Sequence, residues 1–348
     1  MLEPINTALC AFGASGKYFH APFLQAHPAF KLTGILERSK LLSRVEYPGL
    51  KIYRNIDELV SDVSIQLVVV NSINSTHFEF AKAALEHGKH VLVEKPLTAT
   101  VKEAEILFDL AEKNGRSLNI FQNRRFDGDF LGFVDHISHH PPGKIFEAGF
   151  YFDRFKPYLN PKQHKELDGP GAGLLYDLGP HLIDQCLCLF GKPDAVQAEL
   201  AKERESSEVV DQFSLWLRYP GFRAQISAGL LMREPRPAFR LRTEKYELVI
   251  PRTDKQEKRL MAGERPSRDG LAGSNKNERG FVYYADKETI IKKEISIAQG
   301  NYMLFFDKLE GSVNGRMEPL VSKTEVLAQL KIIEAAIISN REKKEIVV

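Results

Sequence analysis

The stretch Ile5-Asn-Thr-Ala-Leu-Cys-Ala-Phe-Gly-Ala-Ser-Gly16 is a short apolar run, Ile5–Phe12, that ends in a glycine turn, and Gly16–His27 follows it with helical character. A strand that feeds a helix through closely spaced glycines is the arrangement that carries a dinucleotide pyrophosphate. The second glycine lets the backbone approach the anion, and the third lets helix and strand pack closely. The helix N-terminus offers N–H groups and the positive end of its dipole. The fingerprint G-x-G-x-x-G is met from its second glycine on, with Ala11 in the place of the first. Phe12, Gly13, Ala14, Ser15 and Gly16 are therefore the candidate pyrophosphate cradle.

Outward from this turn, Leu32–Leu36, Ile65–Val70, His90–Val93 and Leu118–Phe121 read as further strands. Thr76–His87 and Val101–Asn114 read as helices that stop at Gly88 and Gly115, where a glycine after the last turn is a ready C-terminal stop. Strands alternating with helices of this length predict right-handed crossovers and a doubly wound parallel sheet, an α/β fold. After residue 121 the pattern changes. Glu147–Phe155, Ala195–Lys202, Val209–Tyr219 and Arg223–Leu230 succeed one another as strands, with Leu175–Leu189 as the one helical interruption. That predicts an α+β second domain with a mainly antiparallel sheet. The division is 1–121 for the dinucleotide and 122–348 for substrate and subunit contacts. The closing helices Tyr302–Gly315 and Thr324–Ser339 are free to pack back on the first domain. Pro251–Gly280, with eight Lys/Arg against five Asp/Glu, reads as a solvated loop, with a lid or a subunit contact as the alternative.

Composition narrows the function. The chain has 348 residues, 43% hydrophobic and 27% charged, enough for two ordinary cores. A net charge of +2 gives no electrostatic case for nucleic acid. The apolar runs are far shorter than the ~20 residues that span a bilayer. Cys10, Cys186 and Cys188, with no Cys-x-x-Cys, exclude a disulfide framework and a cysteine zinc site, and fit a reducing cytoplasm. Met1–Ala11 lacks a basic n-region and a long apolar h-region, so no signal peptide is expected.

Glu37 lies 21 residues after Gly16, at the end of the second strand, where a carboxylate is expected to accept hydrogen bonds from the adenosine ribose; the plain alternative is a surface glutamate. Arg38 could instead hold a 2′-phosphate, which Glu37 would repel. The cofactor is NAD or NADP, and Glu37 tips the balance slightly to NAD. Asn71, Ser72, Asn74 and His77, which follow the strand Ile65–Val70, together with Glu94 and Lys95, complete the cofactor-binding candidates. Lys95 follows the strand His90–Val93, and Pro96 biases it toward an extended backbone at the carboxyl edge of the sheet. Its alternative is a surface salt bridge.

In the second domain, Asp177, His181 and Asp184 fall on one face of a helix, with Pro180 in the first turn and Asp177 as the expected N-cap. The helix N-terminus favours neutral imidazole and the carboxylate favours imidazolium, opposing pulls that suit a general acid–base group near neutral pH. The alternatives are a simple cap, a buried histidine, and a metal site for which no further ligand cluster is evident. Asn123, Arg124, Asp127 and Arg154 are polar candidates for substrate hydroxyls, with structural roles as the alternative for the two arginines.

Together these motifs resemble the glucose–fructose oxidoreductase, inositol dehydrogenase and rhizopine-catabolism (Gfo/Idh/MocA) family over nearly the whole chain. The likeness rests on the glycine turn, Glu94-Lys95-Pro96 and Asp177-x-Gly179-x-His181-x-x-Asp184. Ser15-Gly-Lys-x-Phe-His20-Ala-Pro22, Asn123-Arg-Arg-Phe-Asp127, Leu175–Gln185 and Asp254–Pro266 bring it closest to the branch of NADP-dependent scyllo-inositol dehydrogenases. The resemblance implies a homodimer or homotetramer assembled through an open C-terminal sheet, and a catalytic set matching Lys95, Asp177 and His181. It also implies a cyclitol, polyol or sugar substrate oxidised at a secondary alcohol. Ala11 and Glu37 depart from the pattern, and the second departure puts cofactor preference in question. An NAD-dependent glycosidase of the same fold and a non-catalytic dinucleotide sensor are the rival readings.

Overall fold

The computed structural model describes residues 3–160, 166–271 and 278–348. The chain forms two compact units. One comprises residues 1–123, 255–273 and 301–326, and the other 124–254, 274–300 and 327–348. The first unit thus takes in two segments that the sequence assigns to the second domain.

The first unit carries β1 (Ile5–Leu9), β2 (Phe30–Leu36), β3 (Lys51–Tyr53), β4 (Leu67–Val70), β5 (His90–Val93) and β6 (Leu118–Ile120). They pair in the order β3-β2-β1-β4-β5-β6, every neighbour parallel. The order reverses at β1, so β2 and β4 flank it and the crevice beyond their carboxyl ends is the ligand position of such sheets. Each of the four residues of β4 is buried, as expected of a strand covered on both faces. The crossover helices are α1 (Ala21–Ala26), α2 (Ile56–Val60), α3 (His77–Glu86) and α4 (Val101–Lys113). Thr100 and Glu103 close a capping box at the start of α4.

Helical structure after the glycine turn begins as a π-turn, Gly16–His20, before passing into α1. Pro22 explains the wide turn. A proline ring clashes with the carbonyl four residues back, and the π geometry moves that carbonyl aside.

In the second unit, α5 (Gly128–His139) precedes β7 (Ile145–Tyr151), and α6 (Leu174–Asp177) and α7 (Gly179–Phe190) precede β8 (Ala195–Ala201). There follow β9 (Gln212–Tyr219), β10 (Phe222–Gly229), β11 (Phe239–Thr243) and β12 (Glu247–Ile250). After α8 (Gln256–Met261), which belongs to the first unit, come β13 (Arg279–Asp286) and β14 (Thr289–Ser296). α9 (Met303–Val313), α10 (Lys323–Glu342) and β15 (Ile346–Val347) close the chain. The nine strands run β14-β13-β12-β11-β7-β10-β9-β8-β15, antiparallel except for β10 beside β7. One face buries Phe150, Leu215, Ile226, Phe239 and Leu248 against α5 and α7 residues such as Phe133 and Leu182. Alternate residues on the other face, among them Arg218, Arg223, Arg240 and Arg242, are exposed.

The helix read as Leu175–Leu189 is kinked at Leu178. Pro180 has no N–H to offer the carbonyl of Tyr176, and the ladder breaks there. Asp177 is consequently the last residue of α6, and Leu178 is the N-cap of α7, which corrects the expected capping role of Asp177. Pro251–Gly280 contains α8, with Leu260 and Gln256 buried, so it is not a bare solvated loop; residues 272–277 lie outside the described residues.

Candidate active site

Gly16 is buried, and a Cβ on it would lie 2.4 Å from the carbonyl oxygen of Ala11 and 2.8 Å from Nδ2 of Asn71. Only glycine permits this approach of helix to strand. Gly13 is the opposite case: it is exposed, and a Cβ there would meet no atom within 4 Å. The open space above Gly13 and the tight packing under Gly16 are what a pyrophosphate cradle requires, so the residues present fit a dinucleotide. Phe12 is buried edge-on to Tyr47, with ring centroids 5.8 Å apart.

Asn71 does not point away from the protein. Its Oδ1 accepts from the Ala11 N–H at 3.0 Å and its Nδ2 donates to the Ala11 carbonyl at 2.9 Å. His77 is buried, with Nδ1 2.9 Å from the carbonyl of Pro96 and Nε2 3.3 Å from that of Ser72. Burial holds its pKa below the ordinary histidine range. Both residues therefore support the loops around the candidate site. Ser72 bonds to the Thr76 hydroxyl at 2.7 Å.

Glu94 links the glycine turn to the Lys95 loop. Its Oε1 accepts from the Ser15 hydroxyl and lies 2.9 Å from His20 Nε2. Burial would raise the Glu94 carboxyl, but the bonds from His20 and Ser15 and the charge of Lys95 outweigh it, and the pKa lies below the ordinary glutamate value. His20 is fully buried, its ring 4.4 Å from that of Phe121. The Lys95–Pro96 peptide is cis.

Glu37 is 7% exposed and turned inward. Its carboxylate accepts from the Leu42 N–H at 2.8 Å, the Ser43 N–H and the Ser43 hydroxyl, capping the 3₁₀ turn Leu42–Val45. The carboxylate expected at the ribose instead orders its own loop, while Arg38 is exposed.

In the second unit, His181 is buried in the first turn of α7. One turn further on, Asp184 takes both Arg125 nitrogens, Nε and Nη2, at 2.8 Å, and Gln185 Nε2 donates to the carbonyl of Arg124 at 3.0 Å. Helix α7 thus grips the Asn123–Asp127 segment. Asp184 is an ion-pair partner, and among the described residues no three His, Cys, Asp or Glu side chains group as metal ligands. Arg124 Nη1 lies 3.2 Å from the buried Asp127. The guanidinium groups of Arg124, Arg154 and Arg252 lie 4.9, 4.6 and 4.1 Å from the ring centre of Phe152. Arg252 Nη1 is also 3.8 Å from Asp127 and 3.6 Å from Asp129. Burial, first of all, pushes the Asp127 carboxyl up to about 7; Arg124 opposes this, and Asp254 and Asp129 add to it. Phe152, Arg252, Asp129 and His20 were not sequence candidates. His20 was visible in the Phe-His-Ala-Pro run, whereas Phe152 and Arg252 meet only through the pairing of β11 with β7 and β12.

Residues 5–121 match the model of the oxidoreductase family with an NAD-binding Rossmann fold, and residues 137–249 that of the GFO/IDH/MocA C-terminal domain. The chain belongs to the Gfo/Idh/MocA family of oxidoreductases. It is 31% identical to scyllo-inositol 2-dehydrogenase (NADP(+)) IolW of Bacillus subtilis over 99% of this chain and 96% of that one. Among solved structures, the oxidoreductase yvaA of B. subtilis superposes with a TM-score of 0.93 at 30% identity, covering 100% of this chain and 99% of that one. An oxidoreductase from Bacteroides fragilis gives 0.87 at 38% identity, with 99% and 100% covered. This Gfo/Idh/MocA protein is accordingly an NAD(P)-dependent oxidoreductase. No helix among its described residues is long and apolar enough to cross a membrane.

Proposed function

We propose that this protein catalyses the reversible oxidation of a secondary alcohol on a cyclitol or sugar ring. The observation that carries the reading is His181, buried in the first turn of α7, one turn from the Asp184–Arg125 pair that fixes the polar Asn123–Asp127 segment. Full-length likeness to a scyllo-inositol dehydrogenase supports the substrate class. When bound, the nicotinamide dinucleotide supplies the hydride acceptor or donor. Gly13, Ala14, Ser15 and Gly16 hold its pyrophosphate. His181 takes the alcohol proton, Lys95 stabilises the charge developing on the oxygen, and Asp177 orients its partners. Asn123, Arg124, Asp127 and Arg154 recognise ring hydroxyls. No disulfide joins Cys10, Cys186 and Cys188, which supports a cytoplasmic setting.

The test is a panel of inositols and sugar phosphates with each dinucleotide, read by the absorbance of the reduced nicotinamide, followed by Lys95→Met and His181→Ala on the substrate found. Loss of an acid–base group lowers kcat by about 10²–10⁴-fold while dinucleotide affinity and Tm barely move. A variant that keeps more than about a tenth of wild-type kcat removes that residue from the mechanism.

A further inference from the structure

We infer that His20 is a positioning residue for the reaction: through a bond to the Glu94 carboxylate it fixes the anion next to Lys95. The inference rests on the alcohol-oxidation reading, in which Lys95 meets the substrate oxygen.

Packing alone does not call for a histidine at this position. The His20 side chain is 0% exposed, and its ring faces Phe121 at 4.4 Å and Phe306 at 6.4 Å. An apolar ring would fill that slot without the cost of burying two nitrogens. What the imidazole adds is the 2.9 Å bond between Nε2 and Oε1 of Glu94. The Glu94 carboxyl is held below the ordinary glutamate range, so at neutral pH it is ionised and can only accept. The proton in this bond therefore sits on Nε2 of His20. Nδ1, among the aromatic rings, has no hydrogen-bond partner among the described residues.

The aim of the ring is set by the sequence. The π-turn Gly16–His20, closed by the Ala21 N–H on the Gly16 carbonyl and explained by Pro22, rotates His20 relative to an α-helical turn. Single π-turns recur at functional sites. On the opposite side, Glu94 follows β5, its N–H donates to the Val70 carbonyl at 2.9 Å, and its Oε1 also accepts from the Ser15 hydroxyl. Past Lys95, the Pro96 carbonyl lies 2.9 Å from Nδ1 of His77. Lys95 is thus flanked by two buried histidine anchors. One holds the side chain of the residue before it, the other the main chain of the residue after it. The charge of Lys95 acts on both Glu94 and His77. Without His20, Glu94 keeps only the Ser15 hydroxyl, and its carboxylate gains freedom to turn. Burial, the largest influence on that carboxyl, is then opposed by less and favours its protonation.

His20→Phe and His20→Gln in the whole protein separate positioning from packing. Phenylalanine fills the aromatic slot but cannot donate. The glutamine Nε2 can donate to Glu94 but fills the slot poorly. Activity is read on scyllo-inositol, or on whichever inositol or sugar phosphate is oxidised, at saturating dinucleotide, beside Tm. His20→Phe should lower kcat about 10–100-fold with Tm near that of the wild type, and its acid limb should move to higher pH as burial raises Glu94. His20→Gln should keep most of the wild-type kcat and the wild-type acid limb although its Tm falls. Long-range 1H–15N spectra should place the His20 proton on Nε2. A histidine that only packs gives the reverse pattern, an active His20→Phe and an impaired His20→Gln. That pattern, or a proton on Nδ1 alone, overturns the inference while the loss of turnover in Lys95→Met leaves the alcohol-oxidation reading standing. If Lys95→Met keeps its turnover, the role of Lys95 falls, and the inference with it.

Discussion

Asn71, just past β4, and Ala11, just past β1, exchange two hydrogen bonds of 3.0 and 2.9 Å, so a side-chain amide continues the ladder between the two strands. The clamp fixes the start of the glycine turn from below. Asn71→Ala leaves the Ala11 N–H and carbonyl without these partners in a part-buried position. The expected loss of stability is about 1–3 kcal/mol, with weaker dinucleotide binding because the turn is freed. Thermal melting and calorimetry check both. An unchanged dissociation constant would mean that the turn keeps its shape without Asn71.

The two glycines of the turn should respond oppositely to one methyl group. At Gly16 the new Cβ would meet the Ala11 carbonyl oxygen at 2.4 Å, so Gly16→Ala forces backbone apart and lowers both Tm and affinity. At Gly13 nothing in the protein lies within 4 Å, so Gly13→Ala should melt like the wild type. Its methyl instead fills space meant for the pyrophosphate, and dinucleotide affinity should fall at least about tenfold. Normal affinity in Gly13→Ala would show that the anion does not sit over that residue.

How much of this was legible in the sequence depended on how local each cause was. The strands β4 and β5 are dense apolar runs, and α3 and α4 end at glycines with positive φ, Gly88 and Gly115. Helix α5 gave no such signal. It opens on Gly128, has Gly132 within it, and is held by tertiary packing of Phe130 and Phe133 on Phe239. Gly128 is required because a Cβ would lie 2.3 Å from the Ala298 oxygen, a neighbour 170 residues away in sequence. Strand β14 is almost wholly exposed, so its sequence lacks the apolar–polar alternation by which a half-buried strand is read. Glu37 shows the limit at the site. Its spacing from Gly16 matches a ribose ligand, but direction is decided by Ser43, six residues on, and spacing carries no information about direction.

The nine-stranded sheet predicts an oligomer. One face is covered by α5 and α7, while the other presents Arg218, Arg223, Arg240 and Arg242 around Trp216, the only tryptophan of the chain. The ion pairs there, Arg240–Glu247 at 2.6 Å and Arg242–Glu147 at 3.4 Å, balance charge across adjacent strands, and a two-fold contact through this face would cover it on both subunits. Light scattering at micromolar concentration should give the mass of two or four chains. Trp216→Glu should shift it toward one chain, and the intrinsic fluorescence of Trp216 should move to longer wavelength on dilution. A single-chain mass at every concentration would rule the assembly out.

Asp127 should leave a signature in the pH dependence of stability. Burial raises its pKa from 3.8 to about 7 in the folded protein, against the pull of Arg124 and with help from Asp254 and Asp129. Below about pH 4 the carboxyl is protonated in both states and contributes nothing to the difference. From there to about pH 7 the unfolded chain has lost the proton while the folded one retains it, so the unfolded state binds fewer protons and stability falls as pH rises. Above about pH 7 both states are ionised and this contribution is constant. Asp127→Asn has no proton to lose. The Tm difference, variant minus wild type, should therefore grow in favour of the variant between about pH 4 and pH 7 and then level off. The absolute offset between the two proteins also includes the altered bond to Arg124, so the slope is the quantity to read. A difference that stays flat across this range would mean that Asp127 ionises with an ordinary pKa, held down by Arg124 and Arg252 more strongly than burial lifts it.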